Sequence, residues 1–201
     1  MSDLFDEKSI DWDTNKNVKN ISSAVGETLL KHVSLNSQMV VMDFGAGTGL
    51  ICSQVAPFVK QVVAVDISNA MLDKLKAKLE LKDKVHTLCQ DILEKPIGTK
   101  FDLIISAMAI HHVKDTRKLV QRFSEHLKPG AMIALADLDK EDGTFHPENT
   151  EGIFHFGFQR EEFQHILEEL GFEDIQFFTP YHVNKNDKRY PLFLVIAKKP
   201  L

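Results

Sequence analysis

Apolar and polar residues follow each other along the chain in a pattern that predicts strands alternating with helices. Short apolar runs typical of buried strands occupy residues 39–44, 61–66, 85–89, 101–108 and 131–137. Apolar residues at helical spacing occupy the intervening residues 50–58, 69–81 and 116–127. Because strands joined through helices pair in parallel, the pattern predicts a mostly parallel sheet with helices on both faces.

The two ends of the chain depart from this alternation. Residues 17–32 have the spacing of an amphipathic helix, and we expect residues 1–35 to form a helical cap. After a predicted helix at 160–170, "FEDIQFFTPYHV" and "RYPLFLVIAKK" resemble two strands joined by the polar turn "NKNDK". With no helix between them, these strands should form an antiparallel hairpin. The predicted fold is therefore α/β and doubly wound, with a mostly parallel seven-stranded sheet in one domain over residues 1–201.

A long segment without a predicted element, residues 139–159, follows the fifth strand. Loops of this length in a compact domain are often lids or substrate-binding segments, and we expect this one to be a substrate loop. Its aromatic stretch "GIFHFGF" could form an apolar acceptor pocket or could pack the loop against the sheet. Together with the N-terminal segment that carries Phe5 and Trp12, the loop is expected to close over bound ligands.

Composition and charge restrict the class of protein. The 201 residues are 43% hydrophobic and 26% charged, as in ordinary soluble globular proteins. A net charge of −5 argues against a nucleic-acid partner, and the apolar run at 103–110 is too short to cross a bilayer. The acidic opening does not resemble a leader peptide, so we expect a cytoplasmic protein. Cys52 and Cys89 fall in a predicted helix and a predicted strand, which favours buried thiols over a disulfide.

The stretch "VVMDFGAGTGL" at residues 40–50 places an acid and three glycines directly after the first strand. The dinucleotide fingerprint G-x-G-x-x-G would require glycine where this chain has Leu50. The third glycine is instead Gly49, and an acid, Asp43, precedes the first one. A tight turn without a ligand remains possible on this stretch alone, but a loop for a nucleoside other than a dinucleotide is favoured.

This D-x-G-x-G-x-G pattern resembles motif I of the class I S-adenosylmethionine-dependent methyltransferases. Four further segments agree with that family: "VAVDIS", "CQDILE", "FDLIISAMAIHHV" and "LKPGAMIALAD". The resemblance covers residues 17–198. The opening "FDEKSIDWD", the "HHV" at 111–113 and the small size are loosely similar to quinone-pathway C-methyltransferases.

The resemblance implies S-adenosylmethionine as cofactor and assigns roles to the acids. Asp43 would serve the amino group of the methionine moiety, and Asp66 the two ribose hydroxyls. Asp91 would face the adenine amino group while the Ile92 N–H meets a ring nitrogen. The complete set of cofactor residues implied is Asp43, Gly45, Ala46, Gly47, Gly49, Asp66, Ile67, Met71, Asp91, Ile92 and Ala107.

Methyl transfer depends mainly on alignment and the exclusion of water, and it needs a base only when the acceptor must lose a proton. His111 follows the fourth strand, where ligands bind in open α/β sheets, and is the candidate catalytic residue. A structural role or a substrate contact for His111 remains open. The histidine spacings do not suit zinc, and only Asp137 and Asp139 could serve magnesium, so no metal is expected.

These observations predict a methyltransferase that uses S-adenosylmethionine and acts on a small-molecule acceptor. A nicotinamide-dependent oxidoreductase is an alternative, which Leu50 and the C-terminal hairpin disfavour. A non-catalytic module that binds S-adenosylmethionine is a second alternative, because the chemistry demands few residues. A protein or nucleic-acid acceptor is a third, although "SAMAIHH" lacks the asparagine–proline–proline–tyrosine motif of enzymes that methylate the amino groups of bases or glutamines.

Overall fold

The computed structural model describes residues 9, 11–148 and 150–201 of the chain. Phe5, one of the two aromatic residues expected in a lid, lies outside the described residues. The strands are β1 (Val40–Phe44), β2 (Gln61–Asp66), β3 (Val85–Cys89), β4 (Phe101–Ala107), β5 (Leu127–Leu138), β6 (Glu173–Phe178), β7 (His182–Lys185) and β8 (Lys188–Lys198). The α-helices are α1 (Lys16–His32), α2 (Cys52–Val55), α3 (Asn69–Lys76), α4 (Thr116–His126) and α5 (Arg160–Glu169).

The strands form one sheet in the order β3-β2-β1-β4-β5-β8-β6, with β7 also paired to β8. Strands β1 to β5 are parallel to their neighbours, while β8 runs antiparallel to β5, β6 and β7. The prediction of a mostly parallel α/β sheet with an antiparallel C-terminal hairpin is therefore confirmed. The strand order reverses between β1 and β4, and such a reversal opens a crevice at the carboxyl ends of the strands.

The C-terminal hairpin differs from the prediction in one respect. The first predicted strand is divided into β6 and β7 by a break that contains Pro180, whose nitrogen has no hydrogen to donate to a sheet. Both pieces pair with β8, which gives eight strands rather than seven. The turn between β7 and β8 consists of Asn186 and Asp187 with φ of 51° and 58°. Asn and Asp tolerate this left-handed conformation better than other side chains, as tight hairpins require.

Two helices are shorter than the sequence pattern predicts. The helix after the glycine loop spans only Cys52–Val55 and continues as a 3-10 turn at Ala56–Phe58, where Pro57 cannot continue the α-helical hydrogen bonds. Helix α3 is capped by Ser68, whose side chain accepts from the Met71 N–H, but it ends at Lys76 instead of residue 81. Leu79 lies beyond this end and is 74% exposed, although its helical spacing predicts the same face as Leu72 and Leu75.

Apolar residues form one core on each face of the sheet, as the doubly wound prediction requires. Helices α1, α2 and α3 cover one face, and α4 and α5 cover the other, which contains the large rings of Phe101, Phe123, Phe163 and Phe193. Cys52 is a buried free thiol, as expected. Cys89 is also free but exposed, so the prediction of its burial is wrong: β3 is an edge strand whose last residue faces solvent. No helix among the described residues is both long and apolar enough to traverse a membrane.

Candidate active site

A cavity of about 660 Å³ lies at the carboxyl ends of the parallel strands, beside the reversal in strand order. Its walls come from the glycine loop, the ends of β2 and β3, the segment after β4, helix α1, the loop after β5 and strand β7. Nine of the eleven predicted cofactor residues and His111 line it. These ten residues are Asp43, Gly45, Ala46, Gly47, Asp66, Ile67, Met71, Asp91, Ala107 and His111.

Gly49 and Ile92 are the two predicted cofactor residues that do not line the cavity. Gly49 has φ of +83°, and a Cβ there would lie 2.3 Å from Cδ1 of Leu75. The third glycine therefore lets the loop turn and pack closely on α3. Gly47 is different, because a Cβ there would meet nothing within 4 Å, so its backbone borders open space. The Ile92 side chain is completely buried in the core, and only its backbone could serve a ligand.

Asp66 connects the end of β2 to the glycine loop. Its Oδ2 accepts a hydrogen bond from the Gly47 N–H at 2.8 Å, and its Oδ1 accepts one from the Ser68 N–H at 2.9 Å. The carboxylate thus fixes the conformation of the loop and lines the cavity at the same time. Nearby, Ile67 is 66% exposed and Met71 is buried, so an apolar wall continues from this acid toward Asp91.

Asp43 is a buried acid, 2% exposed, at the end of β1. Its Oδ2 has no hydrogen-bond partner among the described residues. Burial raises the pKa of Asp43 to about 8; a backbone hydrogen bond from Cys52 acts in the opposite direction, and the charge of Asp66 adds to the increase. An acid in this condition would be stabilised as a carboxylate by a cationic group entering the cavity, because an opposite charge lowers the pKa.

His111 and Asp137 form a buried pair at the opposite wall. His111 donates from Nδ1 to Asp137 Oδ1 at 2.7 Å, and its backbone N–H donates to Oδ2 at 3.1 Å. Burial by itself would raise the pKa of Asp137, but the charge and hydrogen bonds of His111 outweigh it and lower that pKa. Nδ1 is directed at Asp137, so Nε2 is the remaining ring nitrogen, and it has no hydrogen-bond partner among the described residues.

The structure also places the acids considered for magnesium and the aromatic stretch. Asp139 forms two 2.7 Å contacts with the Arg160 guanidinium, whereas Asp137 is bound to His111, so the two acids considered for magnesium have separate partners. Among the described residues no group of three or more potential ligands is arranged to hold a metal. In the aromatic stretch, Phe158 packs into the core, and Phe154 is 54% exposed; neither lines the cavity.

The N-terminal segment reaches the glycine loop through a small polar cluster. Thr48 Oγ1 donates to Asp13 Oδ1 at 2.5 Å, and Lys78 Nζ lies 2.7 Å from Asp13 Oδ2 and 2.8 Å from the Thr48 carbonyl. We name these three residues the clasp. Trp12 lies at the cavity wall, and so do Phe145 and His146 of the loop 139–159, so both segments expected over the ligands border the cavity.

Phe145 and His146 come from residues 139–159, the segment predicted as a substrate loop. Val183 and Lys185 come from β7, which the sequence did not place at the cavity. Val183 and Lys185 are two apart on one strand and therefore face the same side of it. This alternation is visible in the sequence, but nothing local indicates that β7 lies against a cavity built by residues 140 positions earlier.

Comparisons with known proteins agree with this geometry. Residues 18–177 match the family model described as "Methyltransferase domain". An uncharacterised methyltransferase of Schizosaccharomyces pombe is 34% identical over 120 residues, which is 55% of this chain and 42% of that protein. The ubiquinone biosynthesis O-methyltransferase of Nitrobacter winogradskyi is 29% identical over 110 residues, 52% of this chain and 41% of that protein. The matches therefore span less than half of the length of these relatives.

Solved methyltransferase structures share the fold. A structure of a Haloferax volcanii methyltransferase in complex with the activator Trm112 gives a TM-score of 0.83 at 16% identity and covers 100% of both chains. Phosphoethanolamine N-methyltransferase 2 of Haemonchus contortus, bound to S-adenosylhomocysteine, gives 0.77 at 20% identity over 99% of this chain and 60% of that one. With the family model covering most of the chain, the resemblance predicted from the glycine loop is confirmed: the chain belongs to the class I S-adenosylmethionine-dependent methyltransferases.

Proposed function

We propose that the chain transfers a methyl group from S-adenosylmethionine to a small-molecule acceptor, with His111 as the base that receives the acceptor's proton. The observation that carries this proposal is the His111–Asp137 pair. It presents a buried imidazole nitrogen, without a hydrogen-bond partner in the described chain, at a cavity that also contains the glycine loop. Such an arrangement is expected for a reaction that must remove a proton away from water.

The residues of the acidic wall suit the cofactor. The orphaned Oδ2 of Asp43 would accept from the ammonium group of the methionine moiety, which would compensate the cost of its burial. Asp66 would accept from the ribose hydroxyls, since a carboxylate offers about four lone-pair sites. The open backbone at Gly47 gives room for close approach. When bound, the cofactor supplies an electrophilic methyl group on a sulfonium.

Asp137 would act through His111 rather than on the acceptor. Its two contacts, to the ring Nδ1 and to the backbone N–H, fix both the tautomer and the orientation of the imidazole. A carboxylate in this position also stabilises the imidazolium that forms when Nε2 takes a proton. Asp137 is therefore a positioning residue, and His111 is the group proposed to touch the acceptor.

The dimensions of the cavity support a small acceptor. A volume of about 660 Å³ falls within the usual range of small-molecule sites, roughly 300–1,000 Å³. Trp12, helix α1, the loop after β5 and strand β7 add side chains to the wall that the strand ends and the glycine loop form. A nucleic acid or a folded protein would need a wider approach to reach His111 Nε2, which is buried.

Calorimetric titration with S-adenosylhomocysteine and with NADH tests the cofactor. We expect binding of the first and no heat from the second; the reverse result would overturn the proposal. The base is tested in His111→Gln, which should bind S-adenosylhomocysteine within twofold of the wild type but lose methyl transfer at least 100-fold, in the range for removal of a general base. Normal binding together with no methyl transfer by the wild-type protein to any acceptor tried would favour the non-catalytic module.

A further inference from the structure

The charged residues of the cavity are divided between its two ends. The three carboxylates, Asp43, Asp66 and Asp91, come from the ends of β1, β2 and β3. The two lysines come from elsewhere: Lys114 follows the short turn after β4, and Lys185 ends β7. The carboxylates belong to the part of the cavity proposed for the cofactor, and the lysines belong to the segment after His111 and to β7.

Lys185 carries a charge that the protein does not neutralise. Its ammonium donates to the Phe145 carbonyl at 2.5 Å and lies 5.6 Å from the centre of the Phe145 ring. Within the described ranges, no carboxylate oxygen approaches Lys185 or Lys114 within the 4.0 Å of an ion pair. By contrast, Lys188 at the start of β8 pairs with Asp142 at 2.6 Å. A half-buried cation without a counter-charge is a favourable place for an anion.

The surroundings of Lys185 also restrict the chemistry of the ligand. Val183 points to the same side of β7, and the Phe145 ring borders the same space. His111 Nε2, the nitrogen proposed as the base, is buried and has no hydrogen-bond partner among the described residues. The acceptor site therefore combines an apolar surface, this nitrogen, and the ammonium groups of half-buried Lys185 and exposed Lys114.

We propose that the methyl acceptor is a small hydroxyl compound that carries an anionic group, a carboxylate or a phosphate, bound by Lys185 and Lys114. This inference rests on the proposed function and specifies its substrate class. The anion holds the acceptor so that its hydroxyl faces His111. The hydroxyl proton passes to Nε2, an oxygen lone pair forms the new C–O bond, and the electron pair of the broken S–CH₃ bond remains on sulfur as a neutral thioether.

The test uses the protein saturated with S-adenosylhomocysteine, whose binding is measured first. The complex is then titrated with three probes: 4-hydroxybenzoate, 4-hydroxyphenyl phosphate and the uncharged 4-hydroxybenzamide. We expect at least one of the anions to bind ten times more tightly than the amide at low salt. The stronger anion identifies the carboxylate or the phosphate as the preferred group. Equal binding of all three probes, or no binding of either anion, would overturn the proposal.

Variants identify the residue responsible. Lys185→Met should remove the preference for the anion while leaving the affinities for the amide and for S-adenosylhomocysteine within twofold; Lys185→Arg should retain the preference. Lys188→Met is the matched control, because it removes the same charge at the tip of the same hairpin outside the cavity, and it should change nothing. An undiminished preference in Lys185→Met contradicts the inference. If S-adenosylhomocysteine itself does not bind, the proposed function fails and the inference falls with it; intact cofactor binding without an anion preference removes the inference alone.

Discussion

Two buried aspartates lie at or next to the cavity: Asp43 is in its wall, and Asp137 is bonded to the wall residue His111. Asp43 ends β1 and Asp137 lies near the end of β5, and both are almost completely excluded from solvent. Asp137 has a histidine ring and two backbone N–H groups around it, whereas Oδ2 of Asp43 has no partner among the described residues. The pKa of Asp137 is accordingly lowered, and that of Asp43 is raised to about 8.

The comparison distinguishes an acid whose partners all come from the protein, Asp137, from an acid whose missing partner would come from a ligand, Asp43. Burial disfavours the charge of both carboxylates, so the sign of the shift depends on the partners that the fold supplies. At Asp137 the fold supplies the partners itself, the His111 ring and two backbone N–H groups, so this carboxylate is satisfied without a ligand. At Asp43 the fold leaves Oδ2 without a hydrogen-bond partner, and a cationic group that binds in the cavity would supply one.

The largest effect should follow from breaking the complete pair. In Asp137→Asn the side chain keeps its size but loses its charge, and the fixed tautomer of His111 is lost. We expect methyl transfer to fall about 100- to 10,000-fold. The free energy of unfolding should fall by about 1.5–3 kcal/mol, the contribution of one charge-assisted hydrogen bond. Activity assays and urea unfolding at pH 7 measure both; a stable, fully active variant would contradict the role of the pair.

The opposite change in stability is expected at Asp43. Between pH 4 and 8 the folded protein holds a proton on Asp43 that the unfolded chain has lost, so stability should decrease as pH rises through this window. Asp43→Asn cannot titrate, and at pH 7 it should be more stable than the wild type by about 2–4 kcal/mol without ligand. Thermal unfolding from pH 4 to 9 measures the slope.

Two controls accompany the measurement at Asp43. Saturating S-adenosylhomocysteine should flatten the slope in the wild type, because the bound ammonium keeps Asp43 charged. The lowered pKa of Asp137 affects stability in a different pH range. The stabilisation by the Asp137 carboxylate is present above the unfolded pKa and is lost only as pH falls below about 4. The loss of stability below about pH 4 should therefore be the same in Asp43→Asn as in the wild type. If the stability of the wild type does not change between pH 4 and 8, the pKa of Asp43 is not raised and this account of Asp43 is wrong.

A smaller effect is expected at Asp66, which is half-buried and already bonded to two backbone N–H groups. Asp66→Ala should weaken the binding of S-adenosylhomocysteine more than tenfold, because the acceptors for the ribose hydroxyls are lost. The glycine loop also loses its anchor at Gly47, so Asp66→Asn, which keeps an acceptor, should recover part of the affinity. Calorimetry gives both constants, with circular dichroism as the check of folding. Wild-type affinity in a folded Asp66→Ala would exclude the ribose role.

The smallest effect should come from the clasp. Asp13 is partly exposed, and exposed ion pairs contribute about 0.2–1 kcal/mol to stability. Asp13→Asn should therefore weaken the binding of S-adenosylhomocysteine only about two- to fivefold. Ligand binding should shift the emission of Trp12, the single tryptophan, to the blue, and it should slow proteolysis at this segment. High salt should reproduce the effect of the variant. Identical Trp12 emission with and without ligand would show that the segment is static cover.

Much of the carboxylate end of the cavity could be predicted from the sequence, for a physical reason. The carboxyl ends of consecutive parallel strands meet at one edge, so the acids after β1, β2 and β3 are brought together by the topology that the alternation predicts. Spacing alone does not distinguish a glycine that faces a ligand from one that makes room for a neighbouring side chain, as Gly49 does for Leu75. That distinction depends on a contact with another helix.

The lysine end could not be predicted in the same way. Asp137 and His111 were both noted near strand ends, but their pairing depends on a side-chain orientation that no local pattern encodes. Lys185 belongs to a strand that the sequence joined to β6, and the break at Pro180 turns it toward the cavity. Long-range placement of this kind results from packing of the complete sheet.

The position of β8 determines when this protein can acquire its structure during synthesis. Although β8 is the last strand in the chain, it lies between β5 and β6, where Met132 and Glu173 both pair with Lys198. Until residues 188–198 leave the ribosome, β6 and β7 have no neighbour, and β5 has an open edge. The amino-terminal strands can begin to pair earlier, but the sheet is complete only after β8 has joined β5 and β6. Ribosome-bound chains that end before β8 should therefore depend on chaperones to protect that edge.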